Sequence, residues 1–221
     1  KAVELLHSES AAKKSAGVYA LRRMARYSGD AQSVAEMLAA FVRAESPINP
    51  HADDDAYPEP PSQAVQAALD VLGTLQTRGV KFDVDLRQVD LSWARIKGNF
   101  ADANFSESYL VSAKLDGEFT RADFSGVRAA DASLNGFFAG AIFKQARLDG
   151  NVELRGSFIE TDFTDCQCSA MPHADVPFRC AIGNVPGQAM RALVAAAELN
   201  KNAPPAPPSE QQNAAAAANE A

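Results

Sequence analysis

The first part of the chain has the hydrophobic spacing of α-helices. Two apolar stripes recur at intervals of three and four residues: Val18, Leu21 and Met24, then Val34, Met37, Leu38, Phe41 and Val42. The segment Ser33-Val-Ala-Glu36 has the form of a capping box, so we place the start of the second helix there. Residues 1–46 are therefore predicted to form a helical lead-in, an α-hairpin whose stripes make a core rather than a cofactor site.

A proline-rich and acidic stretch follows the lead-in, and residues 47–61 are predicted to be a linker. Its acidic cluster, Asp53–Asp55, lacks the spacing and the closing glutamate of an EF-hand, so we interpret it as a solvated charge run rather than a calcium site. Ser62 is predicted to cap a third helix over residues 62–79. Its apolar face (Val65, Leu69 and Leu72) is expected to cover the N-terminal end of whatever follows.

From Phe82 to Cys168 the large apolar residues return every five residues, except that every fourth interval is four residues long and contains glycine. Internal repeats of this kind decide the fold. At a period of nineteen residues the apolar positions fall into four columns: Phe100, Phe119, Phe138 and Phe158; Leu86, Phe105, Phe124, Phe143 and Phe163; Leu91, Leu110, Ala129 and Leu148; Ile96, Leu115, Leu134 and Leu154.

The columns predict a mainly β fold, a right-handed quadrilateral β-helix of about four to five coils over residues 80–170. Every fifth residue points inward, and identical side chains stack at the spacing of paired strands, about 4.8 Å. Small residues two positions earlier are expected to point inward as well (Val84, Val89, Ala94, Gly98, Ala103, Ser108 and Ala113). Glycine is expected at the shortened corner because it tolerates unusual backbone angles. The longer interval from Leu148 to Leu154 predicts a local bulge.

Runs such as Val84-Asp-Leu-Arg-Gln, Ala103-Asn-Phe-Ser-Glu and Ala122-Asp-Phe-Ser-Gly resemble the A(D/N)LXX repeat of the pentapeptide-repeat family, and the resemblance covers roughly residues 82–168. The helical segments resemble those of a bacterial subset of the family that carries a helical lead-in and is often membrane-associated. This resemblance implies a β-helical scaffold, and it also implies a membrane anchor upstream of residue 1.

The end of the repeats needs a cover, because a stacked coil exposes unpaired backbone. Residues 171–200 are predicted to supply it through a C-terminal helix from Pro186 to Asn200, which caps the last coil or pairs with its copy in a homodimer. Residues 201–221 are low in complexity, which predicts a disordered tail.

Composition narrows the candidate chemistry. The formal net charge of −7 argues against direct nucleic-acid binding. An odd number of cysteines and no long apolar run or secretory signal favour a cytoplasmic location, although the chain opens with Lys1 rather than Met.

Four residues near the C-terminus are of types that bind zinc (Cys166, Cys168, His173 and Cys180), but their spacing matches no established ligand set. We therefore predict no metal and no cofactor.

No catalytic residue is predicted either. His7 and His51 lie in the lead-in and the linker without a nucleophile beside them. Asp85, Asp90, Asp123 and Asp162 precede inward positions, so we expect them to form an outward acidic ladder that lacks the buried environment of an acid–base pair. The chain is predicted not to be an enzyme.

Three functions remain open. The first is a protein-interaction scaffold whose partner the sequence does not identify. The second is DNA mimicry that inhibits or protects a type II topoisomerase such as DNA gyrase; the rod shape and negative charge favour it, whereas the few coils and interspersed Lys and Arg count against it. The third is the cytoplasmic part of a membrane-tethered structural protein.

Overall fold

The computed structural model describes residues 1–49, 58–75, 84–167 and 173–174. Within these ranges, four helices precede a stack of parallel strands: α1 (Ala2–Leu6), α2 (Ala11–Ser28), α3 (Ala31–Glu45), α4 (Gln63–Leu75), β1 (Arg95–Asn99), β2 (Lys114–Glu118), β3 (Ser133–Phe137), β4 (Glu153–Ser157) and β5 (His173–Ala174). No helix in these ranges has the length and apolar composition that a membrane span requires. The predicted C-terminal helix, the predicted tail and most of the linker lie outside the described residues.

The strands form a parallel β-solenoid, which confirms the predicted fold. β1 to β5 pair in sequence order, and Ile96 is opposite Leu115, the residue nineteen positions later. A second ladder of four parallel bridges joins Asp85, Asn104, Asp123, Ile142 and Asp162, and four coils lie between its first and last residues. A third ladder begins at Asp90.

The interior is filled by stacked side chains, as the four columns predict. Neighbouring rings within each phenylalanine column have centroids 4.7–5.8 Å apart and lie within 17° of parallel. Rings of the two columns meet at 38–56° with centroids 5.8–6.3 Å apart, which favours edge-to-face contact. Each fully buried phenylalanine stabilises the fold by about 2–3 kcal/mol relative to an exposed one.

Three of the four corners of each coil are tight turns. In the first coil the turn residues Gln88, Trp93 and Asp102 have φ values of 54–62°. The backbone N–H of Ala94, for example, donates to the carbonyl of Leu91 at 3.0 Å and closes the turn between them. This left-handed conformation strains residues other than glycine, and the ladder bonds on either side of each turn hold it in place.

The corner that contains glycine differs from the other three. The chain stays extended and paired through Gly98, whose φ is +110°, so the short interval is a bent strand rather than a tighter turn. Gly98 is exposed, and its predicted inward position is therefore wrong. The extra residue of the fourth coil forms the expected irregularity, where Asn151 N–H donates to Asp131 Oδ1 at 2.7 Å.

The helices close the N-terminal end of the solenoid. The Gln66 side chain of α4 accepts from the backbone N–H of Arg95 at 3.0 Å and donates to the Arg95 carbonyl at 2.7 Å. Asp90 N–H donates to the Ser46 carbonyl at 2.8 Å, and the Arg43 guanidinium donates to the Asp85 carbonyl. On these three sides, groups from the lead-in and from α4 therefore occupy the place that a preceding coil would take.

Several details of the helical region correct the sequence predictions. The short helix α1 was not predicted. Asp30 caps α3 by accepting from Ser33 N–H at 3.2 Å, so the helix begins before the predicted capping box. Met24 is exposed and Ala25 is buried in its place. Ser62 does cap α4, which is buried on nearly all sides rather than on one face because it lies between the other helices and the first coil.

Candidate interaction surfaces of the solenoid

The outward aspartates lie where the sequence places them, but they serve the turns. Each Asp or Asn accepts a hydrogen bond at 2.9–3.2 Å from the backbone N–H two residues later: Asp85 from Arg87, Asp90 from Ser92, Asn104 from Ser106, Asp123 from Ser125 and Asp162 from Thr164. These are Asx-turns, which satisfy a backbone donor that the tight corner leaves unpaired. Their first role is therefore structural.

Basic side chains pair with five of the thirteen Asp and Glu residues between positions 84 and 167, and two of these five, Asp85 and Asp162, also accept the turn hydrogen bonds. Five pairs have nitrogen–oxygen distances of 2.7–3.6 Å: Arg87 with Asp85, Arg121 with Asp102, Lys144 with Asp162, Arg147 with Asp149 and Arg155 with Glu153. In addition, the Arg128 guanidinium lies 4.9 Å from the Tyr109 ring centroid. The side faces of the solenoid thus carry mixed charge.

Two groups on these faces have shifted pKa values. Burial alone would raise the pKa of Asp162, but hydrogen bonds from the side chain and backbone of Thr164 and from Lys144 together lower it. The pKa of Arg121 is raised, first by its hydrogen bond to Asp102 and then by the charge of that carboxylate. Both shifts favour the charged form of the side chain, as expected in an ion pair. A general acid or base would instead need a pKa shifted toward neutral pH.

The residues considered for metal or catalytic chemistry are not brought together where the structure describes them. Cys166 is buried at an inward position, whereas Cys168 and Cys180 lie outside the described ranges and only the backbone of His173 is described. His7 lies at the end of α1, and its Nδ1 hydrogen-bonds the Val3 carbonyl at 2.9 Å. Within the described residues, no group of three or more His, Cys, Asp and Glu is placed to hold a metal.

One apolar feature of the coil surface was not predicted from the sequence. Phe137 and Ile159 are 60% and 47% exposed. Phe137 directly precedes the inward Phe138, and Ile159 directly follows Phe158, the inward residue that stacks on Phe138 from the next coil. The positions equivalent to Phe137 in the two preceding coils are polar and cap the next corner: Asn99 accepts from Ala101 N–H at 3.0 Å, and Glu118 accepts from Thr120 N–H at 3.1 Å. The Phe137 side chain has no acceptor and cannot make this cap. In the sequence, the exception is seen only when positions nineteen residues apart are compared.

The comparisons with known proteins give few matches. No protein-family model and no curated protein matches the chain. A pentapeptide repeat protein from the thylakoid lumen of Arabidopsis thaliana is similar in structure, with 21% identity over 51% of this chain and 84% of that chain and a TM-score of 0.39. QnrB1, a plasmid-mediated fluoroquinolone resistance protein, is 16% identical over 52% of this chain and 83% of its own, with a TM-score of 0.20. The fold assignment therefore rests on the ladders and the columns.

Proposed function

We propose that this chain, a pentapeptide-repeat protein by its repeat sequence and coil architecture, is a non-enzymatic scaffold that binds another protein through a side face of its solenoid. The exposed phenylalanine at position 137 is the observation that carries the proposal. This ring is 60% exposed and does not belong to the phenylalanine columns that fill the interior. The same position holds a polar cap in the two preceding coils.

An exposed Phe137, with an exposed Ile159 on the following coil, is suited to a protein contact. Aromatic side chains are enriched in the cores of protein interfaces, where they supply large buried area. The side faces of the solenoid carry the ion pairs described above, and groups of this kind suit the polar rim of an interface. The partner is therefore expected to place an apolar side chain against Phe137 and polar groups around it.

Site-specific photocrosslinking tests this surface. A benzophenone amino acid at position 159 is exposed to a lysate of the native cells, and we expect one dominant covalent adduct that mass spectrometry identifies. The Phe137→Asn substitution should abolish that adduct. The same crosslinker at Lys97, an exposed position on β1, serves as the control site and should not give it.

Phe137→Asn is suited to this test because it should not damage the fold. An asparagine is already accommodated at the equivalent position of the first coil, where it caps the corner. The melting temperature of the variant should equal or exceed that of the wild type. An adduct that persists in this variant, or equal labelling from Lys97, would contradict a partner site at this face.

DNA mimicry ranks second. The formal net charge of −7 favours it, but the five ion pairs interrupt the negative surface that it requires. The cytoplasmic location, the upstream membrane anchor and the homodimer through residues 186–200 stay predictions.

A further inference from the structure

Helix α2 carries two stripes of opposite character. Val18, Leu21 and Ala25 are buried and join the helix to the core. A second stripe, which we call the Tyr-Arg stripe, has i, i+3, i+4, i+7, i+8 spacing and faces solvent: Tyr19, Arg22, Arg23, Arg26 and Tyr27. These five residues line a shallow groove of about 360 Å³. The tyrosines are 55% and 81% exposed, a spacing and exposure typical of a helix face that packs against a partner.

The charge of this helix is also unusual for the chain. α2 contains five Lys and Arg and no Asp or Glu, although the whole chain has a net charge of −7. Lys14 pairs with Glu45 at 2.5 Å, and the Arg23 guanidinium lies 5.8 Å from the Tyr27 ring centroid. Among the described residues, no carboxylate forms an ion pair with Arg22 or Arg26. The helix dipole favours Arg26 in the last turn, but Arg22 and Arg23 gain less from it because they lie further from the C-terminus.

Like charges three and four residues apart on a helix repel each other, so the arginines of the Tyr-Arg stripe lower the stability of the helix. A carboxylate-bearing partner would relieve this repulsion, because guanidinium groups bind carboxylates with two parallel hydrogen bonds. Tyrosine and arginine are also, with tryptophan, the residues enriched at binding hot spots. The chemistry of the stripe therefore matches an acidic polypeptide.

Two other anionic partners fit less well. A helix that lies on a membrane inserts its apolar face, but the apolar face of α2 is buried in the core through Val18 and Leu21. A nucleic acid would extend beyond one helix onto a protein that is acidic elsewhere, including thirteen Asp and Glu against nine Lys and Arg in residues 84–167. A short acidic segment avoids both problems.

We infer that the Tyr-Arg stripe of α2 is a docking site for an acidic amphipathic helix of a partner protein. The partner places glutamate or aspartate side chains against Arg22, Arg23 and Arg26, and it places an apolar side chain between the two tyrosine rings. The inference rests on the proposed scaffold function, but it concerns a surface separate from Phe137.

Fluorescence anisotropy with the full chain tests the inference. The probe is a labelled synthetic helical peptide with glutamates at i, i+4 and i+7 and a leucine between them, and a peptide with glutamine at those positions is the control. We expect the double substitution Arg22→Glu with Arg26→Glu to weaken binding of the acidic peptide by about tenfold or more, because each lost charge contact at an interface is replaced by repulsion. Lys13→Glu makes the same kind of charge change on α2 outside the stripe and should weaken binding by less than about twofold.

Several outcomes would overturn the inference: an equal effect of Lys13→Glu, equal binding of the glutamine peptide, or no binding of the acidic peptide. Tighter binding of a 20-nucleotide single strand or of phosphatidylserine vesicles, lost in the same double variant, would assign the stripe to that ligand instead. Phe137→Asn should leave peptide binding unchanged. If the peptide fails to bind while the crosslink from position 159 persists, the docking site is wrong and the scaffold function stands.

Discussion

The glycines of successive coils contact one another through their backbones. They form a ladder that starts in α4 and continues through the bent corner of every coil: Gly73, Gly98, Gly117, Gly136 and Gly156. A Cβ on Gly117 would overlap the carbonyl oxygen of Gly98, and its φ of +155° is itself unfavourable for other residues. Close approach of the backbones, as well as backbone angle, therefore requires glycine here.

Substitution of Gly117 by alanine tests this requirement. We expect Gly117→Ala to lower the free energy of unfolding by more than about 3 kcal/mol, because a rigid backbone must move to admit the methyl group. Gly126→Ala is the matched control: its φ is +67°, but its Cβ would meet nothing closer than a Glu107 side-chain carbon at 3.5 Å, so the cost should be about 1 kcal/mol. Urea unfolding followed by circular dichroism measures both, and equal losses would contradict the ladder.

Asp162 predicts a pH dependence of stability. Its pKa is lower in the folded state than in the unfolded chain, so its charge stabilises the fold at neutral pH. That contribution is fully present above the unfolded pKa of about 4, and it is lost as the pH falls through the folded pKa. In Asp162→Asn, the loss of stability between pH 7 and pH 3 should be smaller than in the wild type. Asn104 shows that the turn accepts asparagine. An identical loss in both proteins by urea unfolding would contradict this assignment.

At the scale of the elements, the cap between the helices and the coils depends on a few polar side chains. Gln66 pairs with both backbone groups of Arg95, so its amide substitutes for a strand at the first coil. An uncovered edge of this kind leaves hydrogen-bonding groups unpaired and favours association with other chains.

We expect Gln66→Ala to lower the free energy of unfolding by about 1–3 kcal/mol, because two backbone groups lose their partner. Gln66→Glu should lower the free energy of unfolding at least as much, since a carboxylate cannot donate to the Arg95 carbonyl and would lie beside Asp70, whose Oδ1 accepts from the Gln66 amide at 3.0 Å. Gln32→Ala removes a side-chain bond within α3 and should cost less than about 0.5 kcal/mol. Thermal unfolding compares the three, and light scattering tests whether Gln66→Ala associates. A Gln66→Ala variant as stable as Gln32→Ala would contradict the cap.

The elements also show why the sequence predicts some features and not others. Inward columns repeat every nineteen residues, so a single alignment of the chain with itself finds the coils and the core. Gln66 acts on Arg95 across twenty-nine positions and occurs once, so no period points to it. The predicted start of α3 at Ser33 was wrong because both Asp30 and Ser33 are residue types that cap helices. In the structure α2 ends at the left-handed Gly29, and Asp30 directly after it caps α3. Phe137 fits the apolar composition of the repeats, and only its position relative to Asn99 and Glu118 reveals it as an exposed exception.

At the scale of the whole molecule, charge decides between a general scaffold and a DNA mimic. A mimic needs a long face of regularly spaced negative charge that nothing neutralises. The ladder that begins with Asp85 is interrupted by Asn104 and Ile142, and the ladder that begins with Asp90 continues through Tyr109, Arg128 and Arg147. The carboxylates of the two ladders cap turns, and those of Asp85 and Asp162 also pair with basic side chains, which screens their charge from a partner.

Supercoiling by purified DNA gyrase tests this argument. We expect no inhibition by the wild type even at large molar excess, because faces of mixed charge do not reproduce the uniform negative charge of DNA. A variant with Arg87→Gln, Arg121→Gln and Lys144→Gln has a more continuous negative surface, so any latent mimicry should appear there first. Both proteins are also tested for binding to linear DNA, which separates mimicry from sequestration of the substrate. Stoichiometric inhibition by the wild type without DNA binding would make gyrase the partner, and the surface around Phe137 would then be tested as its docking face.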